Sequence, residues 1–211
     1  MNISTRLRFL LASIIIFIGF IIIAFLTHYQ NFDRIDQRSM VHIQSLVPKI
    51  FDPFLSLFSI LGSFEFSLLY LLIIFSIILI KEKRIFFGIA AFFIIMLLEL
   101  IGKLLLFHPG PPYEFFRNTF NLRFPSSYIH TNYSFPSGHA ARAAFIIALL
   151  VFLSHRWIKK KNTRYIVYLF IFILSVIIFT SRISLGEHWF SDVLGGMFLG
   201  FAAGLLSLVF Y

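Results

Sequence analysis

The chain has 211 residues, of which 59% are hydrophobic and 13% charged, and its mean hydropathy is +0.92, so its composition predicts an integral membrane protein and excludes an ordinary soluble domain. Because it contains no cysteine, disulfides, thiolate catalysis and cysteine-based zinc sites are excluded. The net charge of +9 does not indicate nucleic-acid binding, because the basic residues cluster in short loops beside apolar segments, where they set orientation and meet anionic headgroups.

Apolar runs of near-spanning length predict an all-α integral membrane protein with six transmembrane helices. The runs cover about 9–27, 66–80, 85–106, 140–157, 165–181 and 189–210. The second run is short and is expected to gain length from the apolar residues 54–61. Two arginines before the first run fit a signal peptide, but the run is long and no A-x-A-like cleavage site follows it, so we interpret it as an uncleaved span. Residues 1–211 are predicted to form a single domain.

Residues 32–61 mix charges with apolar residues at helical spacing. Two interpretations remain open for this segment. Part of it forms an amphipathic helix at the outer membrane surface, or the whole is an ordinary loop.

The distribution of charge predicts the orientation of the chain. The N-terminal segment and the loops between the second and third spans and between the fourth and fifth spans are short and basic. The loops on the opposite side are longer and hold most of the acidic residues. This predicts a plasma-membrane protein with both termini cytoplasmic. The basic residues on the predicted cytoplasmic side are Arg6, Arg8, Lys81, Lys83, Arg84, Arg156, Lys159, Lys160, Lys161 and Arg164.

The beginning of the last span carries a histidine–carboxylate pair. His188 and Asp192 are four residues apart, so on a helix they lie on one face. A carboxylate beside an imidazole fixes its tautomer and leaves the other ring nitrogen free to attack. The alternative is an interfacial pair without a reaction. The same spacing continues in a stripe of glycines that predicts close approach of a neighbouring helix, at Gly196, Gly200 and Gly204.

The fourth span begins with Pro136-Ser137-Gly138-His139. Ser137 is predicted to be the N-cap of this helix, whose unpaired first-turn amides form an anion site. A histidine in that first turn is placed to donate a proton to a leaving oxygen. The alternative is a helix cap with an incidental histidine.

Two cations lie near the same predicted outer ends, Lys103 in the third span and Arg182 after Ser181 in the fifth. Arginine clamps phosphate bidentately and lysine adds a point charge. Snorkelling to the interface is the competing explanation for Lys103, and Glu99, one turn earlier, is a ready partner for it. Zinc bound by the two histidines and Asp192 is disfavoured, because the cations suit an anion instead.

In combination, the arrangement K-x(n)-P, P-S-G-H and S-R-x5-H-x3-D resembles the type-2 phosphatidic acid phosphatase superfamily over roughly residues 62–204. The second and third motifs match in full, at Pro136 to His139 and at Ser181, Arg182, His188 and Asp192. The resemblance implies six transmembrane helices with the active site at the extracytoplasmic ends of helices 3 to 6.

The first motif departs from that superfamily, in which it is K-x6-R-P. Here Lys103 is followed seven residues later by Gly110 and then Pro111, so the arginine is missing. Three arginines are candidates to replace the lost charge: Arg142, Arg117 and Arg123. We favour Arg142, because it lies one turn after His139 on the same side of its helix.

The resemblance implies hydrolysis through a phosphohistidine. His188 would attack phosphorus, Asp192 would orient His188, and His139 would protonate the leaving oxygen. No metal or other cofactor is implied, and the expected partners are membrane lipids and a phosphorylated lipid substrate: undecaprenyl pyrophosphate, phosphatidylglycerol phosphate, phosphatidic acid or a lipid A phosphate. The residues expected to hold the phosphate are Lys103, Ser137, Gly138 and Arg182, with Arg142 as the favoured addition.

Two alternatives remain beside this interpretation. One is a protein that binds or moves lipid phosphates without hydrolysing them, which is supported by the missing arginine. The other is a phosphotransferase that passes the phosphoryl group to an acceptor other than water.

Overall fold

A computed structural model describes residues 2–81, 86–120 and 131–210, and within these ranges the chain is helical and contains no strand. The predicted all-α fold class is therefore confirmed. The helices are α1 (Ile3–His28), α2 (Asp33–Leu46), α3 (Asp52–Leu61), α4 (Phe64–Lys81), α5 (Phe86–Leu105), α6 (Gly138–Trp157), α7 (Lys161–Ser184) and α8 (Phe190–Leu208).

Five of the six predicted spans coincide with long apolar helices. Among the described residues, α1, α5, α6, α7 and α8 are long and apolar enough to cross a membrane. A sixth crossing results if the segments Lys49–Leu61 and Phe64–Ile77, which are bent by 57° at their junction, count as one span. The predicted second span falls on α4, and residues 54–61, which were expected to lengthen it, form the separate helix α3 on the other side of the bend.

The start of α1 lies ahead of the predicted apolar run. The side chain of Asn2 accepts a hydrogen bond from the Thr5 amide at 2.8 Å. This cap satisfies one of the free amides of the first turn and lets the helix begin before the apolar residues do.

Residues 32–61 are mainly helical, so the loop interpretation is wrong. The segment forms α2 and α3, which are separated by a short 3₁₀ turn at Lys49–Phe51. Pro53 lies in the first turn of α3, where its missing amide costs no intrahelical bond. Both helices pack against α7, and α2 also contacts α8, so this segment covers one end of the bundle.

The centre of the bundle is α8, which packs against α6, α1 and α5. A Cβ atom added at Gly196 or Gly200 would lie 2.9 or 2.8 Å from the Cβ atom of Ala140 or Ala144 on α6. Only glycine permits this separation, so the predicted close approach along the glycine stripe is confirmed. It brings the first turn of α6 beside the first turn of α8.

Candidate active site

The predicted site residues come together at one end of the bundle. Lys103 lies in the last turn of α5, His139 in the first turn of α6, and Arg182 in the last turn of α7. Together with the segment after α7 they surround a cavity of about 580 Å³. It is lined by Phe64, Met96, Leu97, Glu99, Leu100, Lys103, Thr131, His139, Arg142, Arg182 and His188.

Backbone hydrogen bonds tie the three motif segments together. The Tyr133 amide donates to the carbonyl of Lys103 at 3.1 Å, which fixes the segment before α6 to the end of α5. The Ser137 amide donates to the carbonyl of Asp192 at 3.0 Å, which links the start of α6 to the start of α8. The relative positions of the motifs therefore do not depend on side-chain contacts alone.

A tight turn after α7 returns the chain to the site. Gly186 has a φ of +69°, and an added Cβ would collide with the backbone of Phe115. Glycine is required here for both reasons. The amide of His188 then donates to the carbonyl of Arg182 at 3.1 Å, which places the imidazole beside the guanidinium.

His188 and Asp192 form a buried pair. Nδ1 of His188 lies 3.2 Å from Oδ2 of Asp192, and that oxygen also accepts a hydrogen bond from the Trp189 amide at 3.0 Å. Burial, together with the positive charge of Arg182, holds the pKa of His188 well below its ordinary value. A neutral imidazole that donates through Nδ1 keeps a lone pair on Nε2, which is the form a nucleophile needs.

The carboxylate of Glu99 joins two of the predicted phosphate-binding cations. Its Oε1 lies 2.8 Å from Nζ of Lys103, and its Oε2 lies 2.8 Å from a terminal nitrogen of Arg142. The same carboxylate lies against Gly138, where it occupies the space that a side chain would need. Glu99 is therefore the partner of Lys103, as its spacing suggested, and of Arg142 as well.

A second carboxylate accompanies Arg182. The Arg182 guanidinium pairs with Glu187 and donates to the hydroxyl of Ser59 on α3. Ser59 in turn donates to Glu187 at 3.0 Å. The arginine is thus held in the cavity wall from two sides.

Of the three arginines considered for the missing position, only one is seen in the cavity. Arg142 lines it and is buried. Arg117 is instead bound to Asp52 at 2.8 and 3.0 Å and to backbone carbonyls of the α2–α3 region. Gly110 lines a separate pocket, and Arg123 lies outside the described residues.

Ser137 occupies the predicted N-cap position of α6, but its side chain does not cap the helix. The hydroxyl is buried and accepts no hydrogen bond from the first-turn amides. It also has no other hydrogen-bond partner among the described residues. The prediction of a side-chain cap is wrong. The contact that Ser137 makes to a neighbouring helix is through its amide, which donates to the carbonyl of Asp192 at 3.0 Å.

A polar cluster behind Asp192 was not predicted. Asp36 on α2 accepts hydrogen bonds from the amide and hydroxyl of Ser191, and His108 lies between Asp36 and Asp192. Burial, and the nearby charges of Asp192 and Asp33, raise the pKa of Asp36 to about 6, although its bonds from Ser191 act in the opposite direction. The only local signal was His108 itself, which lies within the proline-rich stretch after Lys103.

Comparison with known proteins decides the family. The family model of the PAP2 superfamily matches residues 85–211, which is more than half of the chain. The chain belongs to the PAP2 superfamily. The resemblance predicted from the three motifs is thereby confirmed.

Individual PAP2 proteins are similar over different lengths. Phosphatidylglycerophosphatase B of Bacillus subtilis is 35% identical over 72 residues, which are 33% of this chain and 35% of that protein, so the match spans about a third of the relative's length. The crystal structure of a transmembrane PAP2-type phosphatidylglycerolphosphate phosphatase from Bacillus subtilis superposes with a TM-score of 0.73 at 23% identity, covering 93% of each chain. Aquifex aeolicus LpxE gives a TM-score of 0.58 at 26% identity, covering 82% of this chain and 94% of that one.

Proposed function

We propose that this PAP2 protein is a metal-independent lipid phosphatase that acts through a phosphohistidine intermediate. The observation that supports this most is the content of one cavity. It brings the His188–Asp192 pair together with a second histidine, His139, and with the buried cations Arg142 and Arg182. A nucleophile, a proton donor and an anion clamp are the groups that phosphoryl transfer to a histidine requires.

The reaction would proceed in two balanced steps. In the first, Nε2 of His188 forms a bond to phosphorus as the bond from phosphorus to the leaving oxygen breaks, and His139 gives that oxygen its proton. In the second, water attacks phosphorus, the phosphorus–nitrogen bond breaks, and His139 takes the proton from water. Asp192 would stabilise the charge that forms on His188 in the first step.

The phosphate oxygens would be held by Lys103, Arg142 and Arg182, with Ser137 and the Gly138 amide completing the clamp. Ser137 supports this role because its buried hydroxyl has no hydrogen-bond partner among the described residues. Since Glu99 already bridges Lys103 and Arg142, binding would replace its carboxylate by phosphate oxygens as their partner.

The apolar side of the cavity supports a lipid as the substrate. Leu97 and Leu100 of α5 line the cavity and are also exposed on the outside of a membrane-spanning helix. A phosphorylated headgroup could therefore reach the histidines while its chain stayed in the bilayer. The relatives named above favour phosphatidylglycerol phosphate as the first substrate to test, ahead of undecaprenyl pyrophosphate, phosphatidic acid and lipid A phosphate.

The test is release of phosphate by the purified protein in detergent with a chelator present. We expect wild type to hydrolyse at least one of the four lipids, His188→Ala to be inactive, and His42→Ala, at an exposed histidine of α2, to match wild type. Activity that requires an added metal would contradict the mechanism. Tight binding without release would favour the lipid-binding alternative, and transfer of phosphate to another acceptor would favour the phosphotransferase.

The basic loops support a location in the plasma membrane with the active site on the outer side. Because the chain has no cysteine, single cysteines can be placed at exposed positions on the two sides, Glu114→Cys and Asn162→Cys. A membrane-impermeant maleimide added to intact cells should label the first and not the second. The reverse labelling would overturn this orientation.

A further inference from the structure

A buried polar cluster lies on the far side of Asp192 from the cavity. Ser191 donates from its amide to Oδ1 of Asp36 at 2.8 Å and from its hydroxyl to Oδ2 at 2.7 Å. Nε2 of His108 lies 3.2 Å from the Ser191 hydroxyl, 3.6 Å from Oδ2 of Asp36 and 3.4 Å from Oδ1 of Asp192. Asp36, His108, Ser191 and Asp192 are each at most 3% exposed.

The hydrogen bonds determine which nitrogen of His108 carries a proton. The one hydroxyl proton of Ser191 is directed to Asp36, so the short contact to His108 requires a proton on Nε2 of the imidazole. That N–H is surrounded by the Ser191 hydroxyl oxygen and by one carboxylate oxygen from each of Asp36 and Asp192. Among these acceptors, Oδ1 of Asp192 is the one without a hydrogen-bond partner among the described residues, and it lies 3.4 Å from Nε2 of His108.

The two oxygens of Asp192 have different surroundings. Oδ2 faces His188 and the Trp189 amide, whereas Oδ1 faces His108. The hydroxyl of Ser134, which donates to the carbonyl of His108 at 3.1 Å, is a further neighbour of Asp192. A fully buried carboxylate needs donors such as these to remain ionised, and contacts at both oxygens restrict its rotation.

We propose that His108 and Asp36 are positioning residues that act on His188 through Asp192. In this role the Nε2 N–H of His108, 3.4 Å away, serves Oδ1, which has no hydrogen-bond partner among the described residues. Asp36 holds the first turn of α8 through Ser191 and lies 3.6 Å from His108, so that Oδ2 stays directed at Nδ1 of His188. The role rests on the proposed function, in which His188 is the nucleophile. It also makes α2, a helix that precedes the matched family region, a functional part of the site.

Substitutions at His108 test the donor role directly. Glutamine can place an amide N–H near the position of Nε2, whereas leucine removes the donor. We expect His108→Leu to lower kcat about 10- to 100-fold, the usual effect of losing an orienting partner. KM should stay near wild type, because His108 does not line the cavity. His108→Gln should recover most of kcat.

Asp36→Asn provides a second, milder variant. An amide has only one acceptor oxygen, so it cannot accept from both the amide and the hydroxyl of Ser191 as the two carboxylate oxygens of Asp36 do. We expect kcat to fall about tenfold, again without a change in KM. The control is His42→Leu, at an exposed position of the same helix, and it should behave as wild type. Gel filtration and thermal melting in detergent establish that each variant is folded.

Folded His108→Leu with wild-type kcat would overturn the positioning role. So would equal losses in the leucine and glutamine variants, or a rise in KM alone. If leucine prevents folding, unchanged kcat in Asp36→Asn overturns it instead. Wild type that releases no phosphate from any of the four lipids would overturn the proposed function and this role with it, whereas active wild type with unaffected variants overturns the positioning alone.

Discussion

Arg142 can be tested for two distinct roles, as a clamp for phosphate and as the counter-ion of Glu99. Arg142→Met removes the charge while keeping an unbranched side chain. If Arg142 holds the phosphate in the transition state, its loss should lower kcat about 100- to 1000-fold. Phosphate release from the preferred lipid, at saturating substrate, gives this number.

The same substitution should also destabilise the protein. The side chains of Arg142 and Glu99 are 5% and 10% exposed, and their charged atoms are 2.8 Å apart. Breaking a buried pair from one side costs about 3–5 kcal/mol, and the lower value applies here because Lys103 still faces Glu99. A loss of about 3 kcal/mol corresponds to a fall in Tm of about 6–12 °C.

A double variant separates the two roles. Adding Glu99→Gln to Arg142→Met removes the carboxylate that has lost one of its two cations, so Tm should recover in part while kcat stays low. The recovery is partial because Lys103 then loses its own counter-ion. Recovery of kcat together with Tm would refute the clamp, because it would mean that Arg142 serves only to neutralise Glu99. Arg117→Met is the matched control. It breaks a buried pair with Asp52 away from the cavity, so it should lower Tm and leave kcat near wild type.

Three further predictions follow from the geometry. The acid limb of kcat/KM should lie below about pH 6.5, the ordinary pKa of histidine. The reason is that the pKa of His188 is lowered, so its neutral form persists until the pH falls through that lower value. A pH series of phosphate release that shows the limb above about pH 6.5 would contradict this. Gly200→Ala should cost about 1–3 kcal/mol by thermal melting, since its methyl would press on Ala144 and on the α6 backbone. Gly19→Ala should cost less, because the three atoms nearest to its added methyl all belong to the movable ring of Phe198. Gly186→Ala should lower kcat, because the +69° φ and the Phe115 backbone both oppose a side chain in the turn that presents His188; unchanged steady-state kinetics would show that the turn adapts.

Much of the site could be predicted from sequence because each motif is local. His188 and Asp192 are one helical turn apart, and Ser137 to His139 are consecutive, so spacing alone relates them. The glycine stripe was predictable for the same reason, since Gly196, Gly200 and Gly204 share a helix. Bringing the motifs together required only that the helix ends predicted on the same side of the membrane lie next to one another.

The remainder depends on contacts between distant segments. Asp36 and Ser191 are separated by 155 residues. The residue pattern of neither helix indicates that these two side chains form a hydrogen bond. Arg117 and Arg142 carry the same charge and differ only in what packs beside them, Asp52 in one case and Glu99 in the other. Tertiary packing decides which partner each arginine has. The partners lie at no fixed spacing in the sequence, so a single sequence does not reveal them.

The exposed wall formed by Leu97 and Leu100 has a kinetic consequence. A substrate that reaches the histidines from within the bilayer meets the enzyme in two dimensions, so the relevant concentration is its mole fraction among the surrounding amphiphiles. Adding inert detergent while the bulk concentration of the lipid substrate stays constant should slow the reaction. Diluting the whole mixture of protein, lipid and detergent with buffer should not. KM for such an enzyme is a mole fraction, and values measured at different detergent ratios become comparable only after conversion to that unit.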